Sequence, residues 1–165
     1  MAKNIDVNLI NHIVNTYSDT ILRIAYQYTK NIHDSEDIVQ DTLFSVMKRG
    51  AENLSSLSEE KLKAYIIRVT INKCNDFHRK KSRRKVVSLE DAEPVFTKEE
   101  ESILDEVNSL PEKYRNVIYL HYYEGYGVNE IAEILGAKPS TISSQLNRAR
   151  AKLKDILTEE SYENI

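Results

Sequence analysis

Residues 128–157 read VNEIAEILGAKPSTISSQLNRARAKLKDIL, and this stretch decides the fold of the C-terminal part of the chain. Its first eight residues place apolar side chains three and four positions apart, which predicts a short helix with one buried face. That face holds Val128, Ile131, Ala132 and Leu135. Gly136 then suits the left-handed end of a helix, and Pro139 suits the first turn of the next one. The spacing therefore predicts a helix-turn-helix.

The second helix of this pair combines an apolar face with a polar and basic surface. Its apolar residues are Ile142, Leu146, Ala149 and Leu153. Between residues 138 and 154 there are five basic residues and no acidic one. Short polar side chains near a helix N-terminus, followed by Arg and Lys, favour contact with the base edges and phosphates of duplex DNA. The alternative is an ordinary surface helix with a solvated basic face.

The composition favours an all-α protein in a reducing compartment. Of the 165 residues, 30% are charged, and glycine and proline are few. The N-terminal residues are too polar for a signal peptide, and no apolar run approaches the roughly 20 residues of a membrane span. The single cysteine, Cys74, cannot form an internal disulfide. We therefore expect a cytoplasmic protein with no direct membrane insertion.

Charge is strongly segregated along the chain, although the net charge is only −3. Residues 61–85 contain ten basic residues and one acidic residue, whereas residues 86–106 contain eight acidic residues and one lysine. A basic block inside an acidic protein is typical of a surface that binds a polyanion. Dense like charge with Pro94 predicts a flexible tether in the acidic stretch.

These patterns predict two small helical domains, residues 1–85 and 102–165, joined by a flexible charged linker at 86–101. In the first domain we expect one or two helices over residues 5–30 and a second helix from Ser35 to Gly50, with Asp34 and Ser35 as cap candidates. A polar loop at 51–58 and a helix at 59–79 follow. In the second domain we expect helices at 102–108 and from Pro111, before the helix-turn-helix. The acidic tail from Thr158 is expected to fray.

One face of the helix at 59–79 combines cations, amides and an aromatic ring. At about 100° per residue, a single stripe contains Lys61, Tyr65, Arg68, Asn72, Asn75 and Arg79. Cations hold phosphates, amides can bond base edges, and a ring can stack on an unstacked base. The alternative is a solvated amphipathic helix in which Tyr65 covers the edge of the core.

A cluster of four acidic residues and one glutamine lies at the start of the second predicted helix, at Asp34, Glu36, Asp37, Gln40 and Asp41. Compensation of the helix dipole explains Glu36 and Asp37 and accounts less well for Gln40 and Asp41, one turn later. A docking surface for a basic partner protein explains all of them. The spacing is poor for a metal site, because no second histidine lies near His33.

Together these segments resemble the extracytoplasmic-function (ECF) sigma factors of bacteria, over about residues 10–85 and 102–157. The sequence HDSEDIVQDTLFSVMKR (33–49) resembles their acidic motif in region two, and AYIIRVTINKCNDFHRKKSRRK (64–85) resembles their promoter-melting helix. Residues 110–153, LPEKYRNVIYLHYYEGYGVNEIAEILGAKPSTISSQLNRARAKL, resemble region four.

The resemblance implies a transcription initiation factor that binds core RNA polymerase and directs it to promoters. Asp37, Gln40 and Asp41 match the positions that dock on the β′ clamp helices, and region four is expected to meet the β flap. Asn72, with Arg68, Asp76 and Arg79 nearby, matches the helix that engages the downstream, minus-ten element. With the stripe described above, the predicted contacts with this element are Lys61, Tyr65, Arg68, Asn72, Asn75, Asp76, Arg79 and Lys80. The implied contacts with the upstream, minus-thirty-five element are Ser140, Thr141, Ser143, Ser144, Asn147 and Arg148.

The resemblance also implies a loop at about 49–58 that captures a flipped base, and an anti-sigma factor as a further partner. It implies no catalytic residue, no metal and no cofactor. Tyr65 and Met47 stand where the family usually has tryptophan, and Ser143 replaces a frequent basic residue. Two rival hypotheses are a stand-alone helix-turn-helix regulator and a small metal-dependent nuclease that uses the carboxylates of residues 34–41.

Overall fold

The computed structural model describes residues 6–83 and 103–163, with side chains at 6–81 and 103–159. Over these residues the elements are α-helices and one π-helical turn, with no β-strand among them, so the all-α prediction is confirmed. The chain divides into a first unit, Met1–Val95, and a second unit, Phe96–Ile165. The predicted linker at 86–101 lies outside the described residues.

The first unit contains four described helices: α1 (Val7–Thr29), α2 (Ile32–Lys48), α3 (Ala51–Ser55) and α4 (Glu59–Arg83). α1, α2 and α4 all pack against one another. Their shared core includes Ile13, Tyr17, Ile21, Val46, Leu54, Leu62 and Ile66. Each of these three helices also has a side that faces solvent.

The start of α2 differs from the prediction. Asn31, in extended backbone, caps the helix, because its side-chain oxygen accepts a hydrogen bond from the amide of Asp34 at 3.0 Å. Ser35 is fully buried, and its hydroxyl donates to the carbonyl of Asn31 at 2.6 Å. The helix therefore begins three residues before Ser35, and Asp34, rather than Glu36 or Asp37, lies in the first turn.

Two further predictions for the first unit were wrong. α2 ends at Lys48, next to Gly50 as expected, but Gly50, with φ of 92°, precedes the short helix α3 where the sequence predicted only a loop. Burial of Leu54, which is 3% exposed, ties α3 to the core. α4 continues to Arg83, four residues beyond the predicted end at Arg79.

The second unit contains α5 (Leu104–Ser109), α6 (Glu112–Ile118), a π-helical turn (Tyr119–Tyr123), α7 (Val128–Leu135) and α8 (Pro139–Glu163). α8 packs against α5, α6 and α7. The helix predicted to start at Pro111 begins one residue later and widens into the π-helical turn. α8 runs past Thr158, whose hydroxyl donates to the carbonyl of Lys154 at 2.7 Å, so the expected fraying is not seen up to Glu163.

The helix-turn-helix forms where the sequence placed it, between α7 and α8. Gly136 ends α7 with φ of 66°, and Pro139 begins α8. Ile131, Ala132 and Ile134 are buried in α7, whereas Val128 and Leu135 are half-buried. Over the described residues, no helix is both long and apolar enough to cross a membrane.

The two glycines that flank α7 give a matched test of this turn. Gly136→Ala should lower the free energy of unfolding by about 1–2 kcal/mol, because an L-residue is strained at positive φ. Gly127→Ala should lower it by less, since Gly127 has φ of −76°, an added Cβ would meet nothing closer than 3.6 Å, and only the preference for glycine over alanine at a helix N-cap is lost. Urea unfolding measures both values, and equal effects would contradict the assignment of the turn.

Candidate protein-binding and nucleic-acid-binding faces

One side of α2 faces solvent, and the three predicted docking residues begin a line of exposed side chains along it. Asp37, Gln40 and Asp41 are exposed, whereas Ile38 and Thr42, on the opposite side of the helix, are buried. Spacings of three and four residues place the polar three next to one another. The structure therefore brings the predicted docking residues together on one accessible surface.

Phe44 and Met47 extend this line, and the sequence pattern did not predict that they are exposed. Phe44 is 56% exposed and Met47 is 40% exposed, and the ammonium group of Lys48 lies 4.5 Å from the centre of the Phe44 ring. Phe44 follows Asp41 by three residues, which places it beyond the reach of the core. We call Asp37, Gln40, Asp41, Phe44 and Met47 the docking face.

A shallow groove separates the docking face from α4. It is lined by Asp34, Asp37, Ile38, Asp41, Lys73, Asp76, Phe77 and Lys80. Lys80 of α4 therefore lies beside the acidic residues of α2. Around the axis of α4, Lys80 is about 100° from Lys61 and Arg79. No group of three or more histidine, cysteine, aspartate or glutamate residues in the described part of the chain is arranged to hold a metal ion.

α4 carries an exposed basic stripe. Lys61, Arg68, Asn72 and Arg79 are all exposed and lie along one side of the helix. Asp76 is also exposed, and its carboxylate accepts a hydrogen bond from Arg79 at 2.8 Å. The stripe can hold phosphates through its cations and offer one amide, that of Asn72, to a base edge.

Asn75 does not belong to this stripe, contrary to the sequence prediction. It is only 3% exposed, and it lies one turn after buried Ile71 and three residues before half-buried His78. Its direction on the helix differs from that of Arg68 by only about 20°, which is enough to cross the edge of the core. Asn75 therefore supports the packing of α4 and is not available to nucleic acid.

Tyr65 occupies an intermediate position between core and surface. The side chain is half-buried and packs against the first unit's core. The guanidinium of Arg49 lies 4.3 Å from the centre of the ring. A base can stack on that face of the ring only if Arg49 moves aside, or it can stack on the guanidinium plane instead.

α4 is tied to α1 near both ends. Near its start, the phenol of Tyr17 donates to the Glu59 carboxylate, which also lies 3.0 Å from the Nε2 atom of His12. Near its end, His78 Nε2 donates to the carbonyl of Tyr28 at 2.7 Å. The hydrogen bonds from Tyr17 and His12 hold the pKa of the Glu59 carboxyl below its usual value.

α8 exposes all six residues predicted to read the upstream element, Ser140, Thr141, Ser143, Ser144, Asn147 and Arg148. Its opposite side, with Ile142, Leu146 and Ala149, is buried. The sequence analysis did not identify Arg150, whose guanidinium donates hydrogen bonds to the side chains of both Asn147 and Tyr122. Arg150 follows Asn147 by three residues, and this spacing was the signal that could have identified the contact.

Two family models match the chain. Residues 13–84 match Sigma-70 region 2, and residues 100–153 match Sigma-70, region 4. The first match covers the helices that carry the docking face and the basic stripe. The second covers the helix-turn-helix.

Curated relatives agree with this assignment. The RNA polymerase sigma factor SigZ of Bacillus subtilis is 33% identical over 138 aligned positions, and the match covers 79% of this chain and 78% of that protein. The ECF RNA polymerase sigma factor SigE of Mycolicibacterium smegmatis is 29% identical over 164 residues, and the match covers 92% of this chain and 62% of the relative.

A solved structure shows the same fold. The sigma factor RpoE of Bartonella quintana, solved in complex with the anti-sigma factor NepR, matches with a TM-score of 0.69 and 22% identity, over 92% of this chain and 98% of that one. The chain belongs to the RNA polymerase sigma factors of the extracytoplasmic-function class. The expected class of function, a transcription initiation factor, is thereby confirmed.

The contacts of Glu59 predict how stability depends on pH. Because its folded-state pKa is lowered, the stabilising effect is present above the unfolded value, about 4.3, and is lost as pH falls through the lower folded value. The wild-type protein should therefore lose stability more steeply below about pH 4 than Glu59→Gln, which has no carboxyl to titrate.

Thermal unfolding between neutral and acidic pH measures this difference. Tyr17→Phe is the matched variant, since it keeps the carboxyl and removes the hydrogen bond that lowers its pKa most. Tyr17→Phe should also lose stability less steeply than the wild-type protein as the pH falls below about 4. Three profiles of equal slope below about pH 4 would contradict the role of the Tyr17 contact.

Proposed function

We propose that this sigma factor docks on core RNA polymerase through α2 and binds promoter DNA through α4 and α8. The observation that carries the proposal is the combination of three exposed faces in one chain: acidic and apolar on α2, basic on α4, and polar and basic on α8. These faces lie within the segments that match regions 2 and 4. Each face suits a different partner.

The docking face has the chemistry of a protein interface. Phe44 and Met47 are exposed apolar side chains that lie next to two carboxylates and an amide. Exposed aromatic and methionine side chains are enriched where proteins bind one another, and surrounding charges set the rate and register of binding. We assign this face to the clamp helices of the β′ subunit, and the second unit to the β flap.

The basic stripe of α4 suits the separated strands of the downstream element. Lys61, Arg68 and Arg79 can bind phosphates, while Asn72 can donate to or accept from a base. Lys80 lies towards α2, and Asp76 forms an ion pair with Arg79. We therefore place Lys80 and Asp76 at the edge of the surface that contacts the downstream element. Trapping unstacked bases makes strand opening more favourable.

α8 suits duplex DNA upstream. Its exposed residues between 140 and 147 are short and polar, and they lie in the first turns of the helix, where a helix-turn-helix contacts base edges. A basic surface further along the helix meets phosphates. Binding of both DNA elements by one chain, with residues 86–101 as a tether, strengthens two contacts that are weak alone.

The remaining parts of the proposal follow from this class of protein. We propose that the protein acts in the cytoplasm, that the bond chemistry belongs to the polymerase, and that the chain supplies no catalytic group or cofactor. An anti-sigma factor is a proposed partner, because RpoE of Bartonella quintana was solved with one. A stand-alone helix-turn-helix regulator would use α8 and leave the docking face and the basic stripe without a role.

Transcription with purified core polymerase of Bacillus subtilis on a pooled promoter library tests the function. The wild-type protein should give specific start sites that core polymerase alone does not give. Asp41→Ala should lower the recovery of polymerase in a pull-down about three- to tenfold, because a charge at the interface is lost, and should leave DNA binding by the free protein unchanged.

Asp19→Ala, which removes an exposed carboxylate from α1, is the control and should bind polymerase normally. Equal recovery of polymerase by the wild-type protein and Asp41→Ala would contradict the docking role of α2. A folded wild-type protein that gives no specific start site would overturn the proposed function.

Arg148 provides the corresponding test of the upstream contact. Arg148→Ala should weaken binding to a promoter duplex about tenfold or more, whether the guanidinium meets a base or a phosphate. Lys113→Ala removes an exposed cation from α6 and should have little effect. Fluorescence anisotropy measures both, and comparable losses would mean that general charge, rather than α8, binds the duplex.

A further inference from the structure

Arg150 connects the π-helical turn to the surface of α8 that faces DNA in the proposed function. Its Nε atom donates a hydrogen bond to the phenol oxygen of Tyr122. Its Nη1 atom donates to Oδ1 of Asn147 at 3.0 Å. All three side chains are exposed, so this contact lies on the surface and contributes nothing to the core.

The π-helical turn explains why Tyr122 is available to Arg150. The amide of Glu124 bonds the carbonyl of Tyr119 at 3.0 Å, which closes a turn wider than that of an α-helix. Tyr119 and Leu120 remain buried, while the ring of Tyr122 is 55% exposed. The centre of this ring lies 5.6 Å from the guanidinium carbon of Arg150. The turn therefore supplies a second anchor for the arginine, opposite Asn147.

This contact fixes the direction of the Asn147 amide. An arginine side chain has only hydrogen-bond donors, so Asn147 must turn its oxygen towards Arg150 and its NH₂ group away from it. An unrestrained asparagine reads adenine by accepting from N6 and donating to N7. With its oxygen engaged, Asn147 is presented chiefly as a donor. A donor suits the acceptors O6 and N7 of guanine or O4 of thymine, and it opposes the amino group of cytosine.

We propose that Arg150 is a positioning residue that holds Asn147 as a hydrogen-bond donor and thereby sets the base preference at one position of the upstream element. The inference rests on the proposed function, because it requires α8 to read duplex DNA. The competing role for an exposed arginine at this place is a phosphate contact. A phosphate contact would strengthen binding to every sequence equally.

Selection from a randomised double-stranded DNA library, with the full-length protein bound to core polymerase, separates these roles. Asn147→Ala identifies the base pair that Asn147 reads, because the preference there disappears. Arg150→Met should lower the preference at that same base pair about tenfold and leave the other positions unchanged. Tyr122→Phe, which keeps the ring and removes the oxygen that anchors Arg150, should change the same position in the same direction.

Lys154→Met is the matched control. It removes an equal charge from the same side of α8, but seven residues, or about 10 Å along the axis, from Asn147. It should alter affinity without changing any base preference. The double variant Asn147→Ala/Arg150→Met should show no loss of preference beyond that of Asn147→Ala.

The outcomes distinguish failure of the positioning role of Arg150 from failure of the proposed DNA binding by α8. If Arg150→Met weakens all sequences alike and lowers the salt dependence of binding by about one counterion, Arg150 is a phosphate contact and the inference is overturned. The same conclusion follows if the preference at the Asn147-dependent position survives in both Arg150→Met and Tyr122→Phe. If the wild-type protein enriches no sequence, the proposal that α8 recognises the upstream element is contradicted, and the inference about Arg150 is overturned as well.

Discussion

Burial of one side of α4 fixes the direction of every residue on its other side. Leu62, Ile66, Ile67, Ile71 and Cys74 are almost fully buried against α1 and α2. A rotation by one residue, about 100°, would bring Arg68 into the place of Ile67, and an unpaired buried guanidinium is very costly. Contacts of Glu59 with Tyr17 and of His78 with the carbonyl of Tyr28 hold the helix near both ends. The basic stripe therefore follows from core packing.

Local signals were enough to predict the helix-turn-helix, because Gly136 and Pro139 act within one turn of the chain. The start of α2 could not be predicted in this way. Ser35 has the right chemistry for a cap, but its hydroxyl lies 2.7 Å from that of Thr29 in the buried junction between α1 and α2. The helix α3 depends on the burial of Leu54, since five residues have too little intrinsic stability to form a helix alone. Both depend on tertiary contacts.

The candidate site shows the same division. Periodicity placed Ser140, Ser143, Ser144, Asn147 and Arg148 on the exposed face of α8, because that helix has one apolar side wide enough to identify. The docking residues Asp37, Gln40 and Asp41 were identified from the acidic cluster and the family resemblance instead. Periodicity failed for an amide side chain close to the edge of the core, because Asn75 was assigned to the surface and is buried. The exposure of Phe44 and Met47 was not predicted. A residue near the boundary between the buried and exposed sides of a helix can be placed on one side only when the width of the buried face is known.

The chemistry of α8 makes orientation of a single amide important. Ser140, Ser143 and Ser144 carry hydroxyls that donate or accept, so each can bond either kind of base edge and discriminates weakly. In the proposed function, discrimination between bases on this helix therefore concentrates in Asn147 and Arg148. A freely rotating amide would offer both a donor and an acceptor and would also lose rotational entropy on binding, whereas one already held by a neighbour loses less. Selectivity in a recognition helix rich in serine thus depends on what fixes its few longer polar side chains.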